Sequence, residues 1–312
     1  MVAAPVVPSG VTLRIGDQLD YLKTVLSLSG QDQNFPYAIE YGAFIGGPPM
    51  LQAFQGNALD AGFIGTTPLI FAQAAGQNLV AIAGWATAEH SSYSLVTAPG
   101  KTDIKGWADL KGKTVAYQRG TAGEAVLLQA LDSVGLKASD ITPVDVSQVL
   151  VTSTLEGGSA DAGIQAEPLT SAYLAADPTA TSVVKAVQLT DRSALFISTT
   201  AALADPGKSA ALADYATRIV RAFAYLRDHP DQVATGVYVK TYKLTPQRAA
   251  ALVAENGATS FFAVPGDLLG PQQRLADLFV AAGEIPKKVD VSAEFDPRFN
   301  DLILATQSGQ KP

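Results

Sequence analysis

Short apolar segments alternate with stretches of helical apolar spacing along the first part of the chain. The predicted strands, which are rich in β-branched, aromatic or small apolar residues, are 11–15, 37–41, 60–64 and 79–84. The predicted helices, in which apolar residues recur every three or four positions until a glycine or a polar turn, are 19–28, 48–55 and 68–75. This order of elements is typical of a mostly parallel sheet covered by helices.

One unit stands out between residues 111 and 136. Residues 113–117 predict a strand, Gly120 ends it, and the apolar positions after Glu124 predict a helix. Thr121 and Glu124 have the spacing of a capping box, in which the hydroxyl accepts one N–H of the first helical turn and the carboxylate accepts another. The pattern therefore predicts a strand, a tight turn and a capped helix.

The same turn is a candidate anion site. The remaining N–H groups around Ala122 and Gly123 add to the positive end of the helix dipole, and Arg119 stands directly before Gly120. A capped surface helix without a ligand explains the same residues. If Arg119 contacts an anion, Arg119→Ala should weaken binding at least about tenfold while leaving the melting temperature of the ligand-free protein nearly unchanged.

The alternation of strands and helices occurs twice. The segment Gly56-x-x-x-Asp60-Ala61-Gly62 returns as Gly157-x-x-x-Asp161-Ala162-Gly163, each time after a helical stretch and before a strand. We therefore expect two similar α/β lobes. Further predicted strands are 92–97, 144–146, 183–187 and 194–198, and the chain is predicted to be mainly helical from residue 209.

We expect the chain to cross between the two lobes more than once, because no low-complexity segment or long linker separates them. We predict extended crossings near 91–95 and 194–198. The first lobe then comprises residues 1–92 and 196–312, and the second comprises 93–195. A ligand cleft lies between the lobes, and two connecting segments would permit hinge closure.

Composition favours a compact soluble protein. Of the 312 residues, 47% are hydrophobic and 16% are charged, which is enough for a sizeable core. The net charge of −7 argues against nucleic acid or an anionic membrane surface as a partner, since both require a basic patch. No apolar run approaches the roughly 20 residues of a membrane span.

The usual signatures of enzymes are missing. The chain contains no cysteine, and its two histidines, His90 and His229, lack the spacing of a metal site. The nucleophile-elbow, phosphate-loop and dinucleotide-binding motifs are absent as well. We therefore expect no catalysis, no cofactor and no metal. His90 follows a strand, and both a cleft-lining position and an ordinary loop position remain open for it.

Polar turns suited to holding an oxyanion follow the predicted strands. Ligands of such sheets bind at the carboxyl ends of strands, where these turns supply hydroxyls, amides, helix N-termini and a guanidinium, but no nucleophile paired with a base. The candidate ligand-binding residues are Gln18, Gly47, Thr66, Thr67, His90, Arg119, Gly120, Thr121, Ala122, Gln165 and Glu167. Structural alternatives exist for each; Thr67 and Glu167, for example, are also suited to capping helices.

Eight segments, in order along nearly the whole chain, carry a family resemblance. They are Gly47-Pro-Pro-Met-Leu-Gln-Ala-Phe, Gly56-x-x-x-Asp60, Pro68-Leu-Ile-Phe-Ala-Gln-Ala-Ala-Gly76, Ala108-Asp-Leu-Lys-Gly-Lys-Thr-Val-Ala-Tyr-Gln-Arg-Gly120, Leu127-Leu-x-Ala-Leu, Gly135-Leu-Lys, Ala276-Asp-Leu-Phe and Ile285-Pro-Lys-Lys-Val-Asp290. Together they resemble the solute-binding proteins of ABC importers for aliphatic sulfonates, which are related to taurine and nitrate binders.

The resemblance implies a two-lobed α/β fold of the Venus flytrap type, similar to the type II periplasmic binding proteins, with a mixed, mostly parallel sheet in each lobe and two crossover strands. It also implies capture of a small sulfonate or related anion and its delivery to a membrane permease. The expected location is extracytoplasmic, in the periplasm or at the cell surface as a lipoprotein. Residues 1–10 lack the features of a secretion signal, so we expect none, or one already removed.

Two segments depart from the family pattern. The family's serine-rich turn appears here as Gln118-Arg119-Gly120-Thr121-Ala122-Gly123, so backbone amides would contribute more of the anion binding. Where relatives carry Trp-Asp-Pro, this chain has Ala166-Glu167-Pro168, which removes a stacking wall. A carboxylate in the cleft would repel an anion, so Glu167 either caps a helix or pairs with a cationic or hydroxyl group of the ligand.

Two other classes of function remain as alternatives. Relatives of this fold include a carbon–sulfur desulfinase, but that resemblance implies a cysteine nucleophile, which this chain lacks. A sensor or interaction module would engage a membrane receptor instead, and a neighbouring permease gene would argue against it. The favoured interpretation is a monomeric solute-binding protein.

Overall fold

Strands of this protein form two separate sheets, each built from a different part of the chain. The computed structural model describes residues 6–87, 93–185 and 193–309. The strands are β1 (Thr12–Gln18), β2 (Ala38–Phe44), β3 (Ala61–Gly65), β4 (Leu79–Thr87), β5 (Tyr93–Thr97), β6 (Thr114–Tyr117), β7 (Thr142–Asp145), β8 (Ala162–Ala166), β9 (Ser182–Lys185), β10 (Ser193–Thr199) and β11 (Thr259–Phe262).

Helices follow most of these strands. The α-helices are α1 (Tyr21–Leu28), α2 (Gly47–Gln55), α3 (Thr66–Ala74), α4 (Ala122–Ser133), α5 (Val151–Glu156), α6 (Leu169–Ala176), α7 (Thr200–Ala204), α8 (Pro206–Asp228), α9 (Pro230–Gln232), α10 (Pro246–Asn256), α11 (Leu269–Ala281) and α12 (Asn300–Gln307). A π-helix spans Val233–Thr241, and short 3-10 turns include Trp107–Leu110 and Gln148–Leu150.

Both sheets are mixed. The strand order is β11-β4-β10-β3-β1-β2 in the first sheet and β7-β6-β8-β5-β9 in the second. Strand β1 runs parallel to β2 and β3, whereas β10 runs antiparallel to β3 and β4. In the second sheet β6 is parallel to β7 and β8, and β5 is antiparallel to β8 and β9. The predicted two-lobed α/β fold with mixed sheets is confirmed. The expectation that the sheets are mostly parallel was wrong, because the strands at one side of each sheet pair antiparallel.

The repeated Asp-Ala-Gly segment has the same role in both lobes. The N–H of Asp60 donates to the carbonyl of Arg14 at 2.8 Å, and the Arg14 N–H returns a bond to Asp60 Oδ2 at 3.0 Å. In the second lobe, Asp161 and Thr114 form the equivalent bonds at 2.8 and 2.9 Å. Each aspartate thus joins the start of one parallel strand to its neighbour, which explains why the motif recurs.

The chain passes between the sheets twice. Strand β4 ends at Thr87 in the first sheet and β5 begins at Tyr93 in the second; β9 ends at Lys185 and β10 begins at Ser193 in the first. The prediction of two crossings is confirmed. Their predicted positions near 91–95 and 194–198 were too far along the chain for the described residues, because β5 and β10 are each paired on both sides within one sheet. Residues 193–195 therefore belong to the first sheet, and the other lobe boundaries stay a prediction.

The long helix α8 covers the first sheet. Asp205 caps it by accepting a bond from the Lys208 N–H at 2.9 Å, and Pro206 occupies the first helical position. Its fully buried Tyr215 stands 5.6 Å from the ring of Phe196 in β10. The C-terminal part is mainly helical as predicted, but the four-residue β11 was missed because its burial depends on β4 and α8 rather than on its own pattern.

Helix α4 of the second lobe packs against two helices of the first. An apolar cluster joins Ala125 and Leu128 of α4 to Ile70 of α3 and Phe279 of α11. The rings of Phe71 and Phe279 meet edge to face at 4.9 Å. Burying a large apolar side chain contributes about 1.5–3 kcal/mol, so this cluster holds the start of α4 against the first lobe.

Candidate ligand-binding site

N-terminal ends of helices from both lobes meet at the carboxyl ends of the parallel strands. Gly120, before α4, has a φ of 70°, and a Cβ placed on it would lie 3.5 Å from Cγ of Pro48 in α2. A Cβ on Gly47 would overlap Pro68 of α3, at 2.5 Å from its Cγ. The approach of Pro68 leaves no room for a side chain at Gly47, and the positive φ favours glycine at Gly120. The positive ends of α2, α3 and α4 are therefore brought together, as an anion site needs.

The first turn of α4 is capped differently from the prediction. Thr121 is the N-cap residue, but its hydroxyl donates to the carbonyl of Gln118 at 2.7 Å instead of accepting a helical N–H. Glu124 does reach back, and its Oε2 accepts the N–H of Gly120 at 2.8 Å. The threonine half of the predicted capping box was thus wrong. The N–H groups of Ala122 and Gly123 have no acceptor within the helix because they lie in its first turn, and the Thr121 side chain does not accept them either.

Glu124 is fully buried beside this turn. The pKa of its carboxyl is raised to about 7, chiefly by burial and to a lesser extent by the nearby Glu284, while the N–H of Gly120 and the guanidinium of Arg119 oppose the increase. The guanidinium of Arg119 lies 3.9 Å from Glu124 Oε1 and pairs with Glu284, which follows α11 in the first lobe. The Arg119 side chain is 51% exposed. Arg119 therefore connects the two lobes next to the candidate anion site.

A pair of buried glutamines supports the turn and was not predicted. Oε1 of Gln118 accepts the N–H of Gln148 at 3.1 Å, and Oε1 of Gln148 accepts the N–H of Ala166 at 3.3 Å. A Cβ on Gly46 would lie 3.4 Å from Gln118 Oε1, which brings the turn before α2 to the same place. The only signal in the sequence was the position of both glutamines at the ends of predicted strands.

Two threonines begin α3, but neither caps it. Gly65 occupies the N-cap position, and the helix starts at Thr66, so the predicted threonine cap was wrong. Thr66 and Thr67 are 3% and 1% exposed. The Thr66 carbonyl accepts a bond from Nε2 of Gln272 at 3.0 Å, and the same amide donates to the buried Glu294 at 2.7 Å. The buried side chains of Gln272 and Glu294 thus position the start of α3.

Gln18 closes the first-lobe side of the site. It ends β1, and its Nε2 donates to the carbonyl of Phe63 in β3 at 2.8 Å. The preceding Asp17 is buried and accepts the N–H groups of Leu22 and Lys23 at 3.0 and 2.9 Å, which caps α1. Both residues belong to β1, so the strand predicted for 11–15 continues to Gln18, and the turn that we expected after residue 15 was wrong.

Gln165 lies near the end of β8 on the opposite side, and Glu167 directly follows the strand. Gln165 is fully buried, and its Nε2 donates to Oγ1 of Thr152 at 2.8 Å. Oε2 of Glu167 accepts the N–H and the hydroxyl of Ser171 at 3.2 and 2.5 Å, while its Oε1 pairs with Arg248 of α10 at 2.9 Å. Of the two roles predicted for Glu167, the structure contains the cap, and Arg248 of the first lobe supplies a cationic partner that the sequence did not suggest.

The candidate residues thus differ in what they offer a ligand. Gly47, Gly120 and Ala122 present backbone at the meeting point of the helices, whereas the side chains of Arg119, Thr121, Gln165 and Glu167 bond to other protein groups. His90 lies outside the described residues. Within the described ranges, no group of three or more histidine, cysteine or acidic side chains is placed to hold a metal, and no helix is long and apolar enough to cross a membrane.

The molecule has two α/β lobes that are joined twice, and N-terminal ends of helices meet between them. These features are those of a two-lobed solute-binding protein. Sequence comparison identifies the family. The chain belongs to the NMT1/THI5-like family, whose model matches residues 49–233. It is 31% identical over 282 residues to a protein of Escherichia coli K12 named as an aliphatic sulfonates-binding protein, covering 89% of this chain and 86% of that protein.

Solved structures agree with this assignment. The alkanesulfonate-binding protein of Xanthomonas axonopodis pv. citri, solved with bound MOPS, superposes with a TM-score of 0.81 at 28% identity, covering 93% of this chain and 99% of that one. The periplasmic aliphatic sulphonate binding protein of Escherichia coli gives a TM-score of 0.77 at 28% identity, covering 95% and 99%. The predicted resemblance to the ABC-importer solute-binding proteins of the aliphatic sulfonate, taurine and nitrate group is confirmed.

Proposed function

We propose that this protein captures a small sulfonate-bearing solute between its lobes, outside the cytoplasm, and delivers it as a monomer to a membrane ABC permease. The observation that carries this proposal is the meeting of helix N-termini from both lobes around Gly47 and Gly120. A sulfonate has three acceptor oxygens and one negative charge, which suit several helical N–H groups at once. The sulfonate-binding relatives support the same head group.

The head group is proposed to bind at the first turn of α4. Ala122 and Gly123 supply backbone N–H groups, and the turns before α2 and α3 face them from the first lobe. The proposed lining also includes Gln18, Thr66 and Thr67, together with His90, which lies outside the described residues. Gln165 and Glu167 are proposed to form the wall behind it. A ligand held by both lobes would favour their closure, because it contacts the two together only in the closed arrangement.

The side chains of the proposed site are suited to binding a ligand without catalysing a reaction. The chain has no cysteine, and the polar side chains of the described site form caps and ion pairs in place of a nucleophile with its base. The relatives named above are binding proteins. Release of sulfite or another product from sulfonates incubated with pure protein would contradict this part of the proposal.

A thermal-shift screen tests the proposed ligand class. Purified protein is heated with alkanesulfonates, taurine, nitrate, sulfate, carboxylates of matched length and uncharged controls. A ligand present at a hundred times its dissociation constant adds about 2.7 kcal/mol, which raises the melting temperature by several degrees. We expect a rise with sulfonates that matched carboxylates do not produce. No rise with any oxyanion would refute the proposal.

A further inference from the structure

A cavity of about 200 Å³ lies in the first lobe. Its walls come from the start of α1, the end of α8, the π-helix and α10, and they include Tyr21, Phe223, Leu226, Val233, Tyr238 and Val253. A cavity of about 150 Å³ is large enough to accept a benzene molecule, so this one has room for a six-membered ring.

The cavity is placed at the ligand-binding edge of the first sheet. Thr87, which lines it, is the last residue of β4, and β4 runs in the same direction as β3, because β10 is antiparallel to both. The carboxyl ends of β1, β3 and β4 therefore share one edge. Tyr21 stands three residues after Gln18, and its ring is 5.9 Å from that of Phe63, whose carbonyl Gln18 binds.

A contact between the lobes lies close to one wall of the cavity. Asn256 lines the cavity and donates to the hydroxyl of Tyr238 at 2.8 Å. The neighbouring Glu255 pairs with Arg248, which holds Glu167 of the second lobe at 2.9 Å. One wall of the cavity therefore stands next to the residues that link the two lobes.

The walls favour an uncharged, flat, apolar group. Three aromatic side chains surround the space, and Tyr21 and Phe223 meet edge to face at 6.0 Å. The one charged side chain in the lining, Arg227, bonds to Asp228 at 3.1 Å and would repel a cationic amine. Aromatic rings gain more from such walls than burial of their area alone provides, and a charged amine would lose its hydration there.

We propose that this cavity holds the organic tail of the ligand and that the tail is an uncharged aromatic ring, which makes an arenesulfonate the preferred solute class. This inference rests on the proposed sulfonate-binding function. It also accounts for the absence of a tryptophan before Glu167, because Tyr21, Phe223 and Tyr238 provide an aromatic wall from the other lobe.

Calorimetric titrations with three sulfonates test this inference. Wild-type protein is expected to bind benzenesulfonate at least about tenfold more tightly than methanesulfonate, and taurine no more tightly than methanesulfonate. Val253→Trp fills the cavity and should remove the preference for benzenesulfonate while leaving methanesulfonate affinity within about twofold. Ala254→Trp places the same side chain at the next, exposed position of α10 and should preserve the preference.

The outcomes separate the two proposals. Failure of every sulfonate to bind would refute the proposed function itself. Binding of methanesulfonate with no preference for benzenesulfonate, or an unchanged preference in Val253→Trp, would overturn the tail cavity and leave the sulfonate site in place. If Val253→Trp loses methanesulfonate binding as well, the smaller change Val253→Met provides the same comparison, and an undiminished preference there would count against the cavity.

Discussion

Glu124 places an unusual carboxyl next to a proposed anion site. It has no exposed surface, one oxygen accepts the Gly120 N–H, and Oε1 forms no hydrogen bond within the described part of the chain. An ionised Glu124 would repel a sulfonate bound at the same helical turn. Since its pKa is raised to about 7, the carboxyl is partly protonated near neutral pH, and anion binding favours the protonated form.

Sulfonate affinity should therefore increase as the pH falls. A sulfonate stays ionised across this range, so the change comes from the protein. We expect the dissociation constant to fall about tenfold between pH 8 and pH 6, with most of the change near pH 7. Titration calorimetry at several pH values measures this. Glu124→Gln should bind with nearly constant affinity; an unaltered pH profile in that variant would assign the effect to another group.

Arg119 is the second residue whose role is open to direct measurement. Its pairing with Glu284 is half exposed, and exposed pairs contribute only about 0–1 kcal/mol to stability. Arg119→Ala is expected to weaken sulfonate binding at least about tenfold and to leave the melting temperature of the ligand-free protein nearly unchanged. Glu284→Gln is the matched control, because it frees the guanidinium and should maintain or improve affinity. An equal loss in both variants would make Arg119 a contact between lobes rather than a ligand contact.

At the scale of elements, the sequence predicted most strands and helices correctly because each carries its own signal. The repeated Asp-Ala-Gly segments, the prolines at helix starts and the glycines at helix ends are local features, and the structure contains the corresponding elements. The capping hydrogen bonds were harder to predict, since the Thr121 hydroxyl donates to the Gln118 carbonyl and does not accept a helical N–H. That choice depends on the conformation of the turn, which spacing alone does not determine.

Contacts between residues far apart in the chain could not be predicted from the sequence. Arg248 lies 81 residues from Glu167, and Gln272 lies 206 residues from Thr66, so no pattern in the chain links them. The short β11 and the π-helix likewise depend on their neighbours for burial. The site could thus be predicted at the level of strand ends and helix starts, but not at the level of the ion pairs that surround it.

The pair between Arg248 and Glu167 joins α10 of one lobe to the start of α6 in the other. Arg248 also donates to Oγ of Ser171 at 2.7 Å, so three polar groups meet across the cleft. If the pair stabilises the closed complex, its loss should accelerate ligand release more than it slows association. We expect Arg248→Met to raise the dissociation rate constant about three- to tenfold with a nearly unchanged association rate constant.

Stopped-flow kinetics with a bound sulfonate distinguishes this effect. Glu255→Gln removes the Arg248 partner on the same helix and leaves the pair between lobes, so its dissociation rate should match the wild type. A slower association in Arg248→Met with unchanged dissociation would mean that Arg248 attracts the ligand instead of holding the lobes together.

At the scale of the whole molecule, buried carboxyls make stability depend on pH. Burial raises the pKa of Glu294 to about 8, while the bond from Gln272 opposes the shift. The folded protein then keeps a proton that the unfolded chain releases above its ordinary carboxyl pKa. The free energy of unfolding should therefore fall as the pH rises from about 5 to 8, by up to about 1.4 kcal/mol per pH unit for this group.

Urea unfolding at pH 5 and pH 8 tests that dependence. Glu294→Gln should reduce the loss of stability between the two pH values, because its side chain does not ionise. The exposed Glu156→Gln should leave the loss unchanged. A Glu294→Gln protein with the full pH dependence of the wild type would show that other groups are responsible.

Closure of two lobes around a sulfonate held at the start of α4 is the central claim, and one substitution tests it directly. Ala122→Pro removes a single N–H from the first helical position, where proline is well tolerated, so the fold and its melting temperature should persist. Ala122→Ser keeps the N–H and serves as the control. Titration calorimetry with one alkanesulfonate should give at least about tenfold weaker binding for Ala122→Pro and binding within about twofold of wild type for Ala122→Ser. Wild-type affinity in a folded Ala122→Pro protein would contradict the account, because the head group would then bind elsewhere.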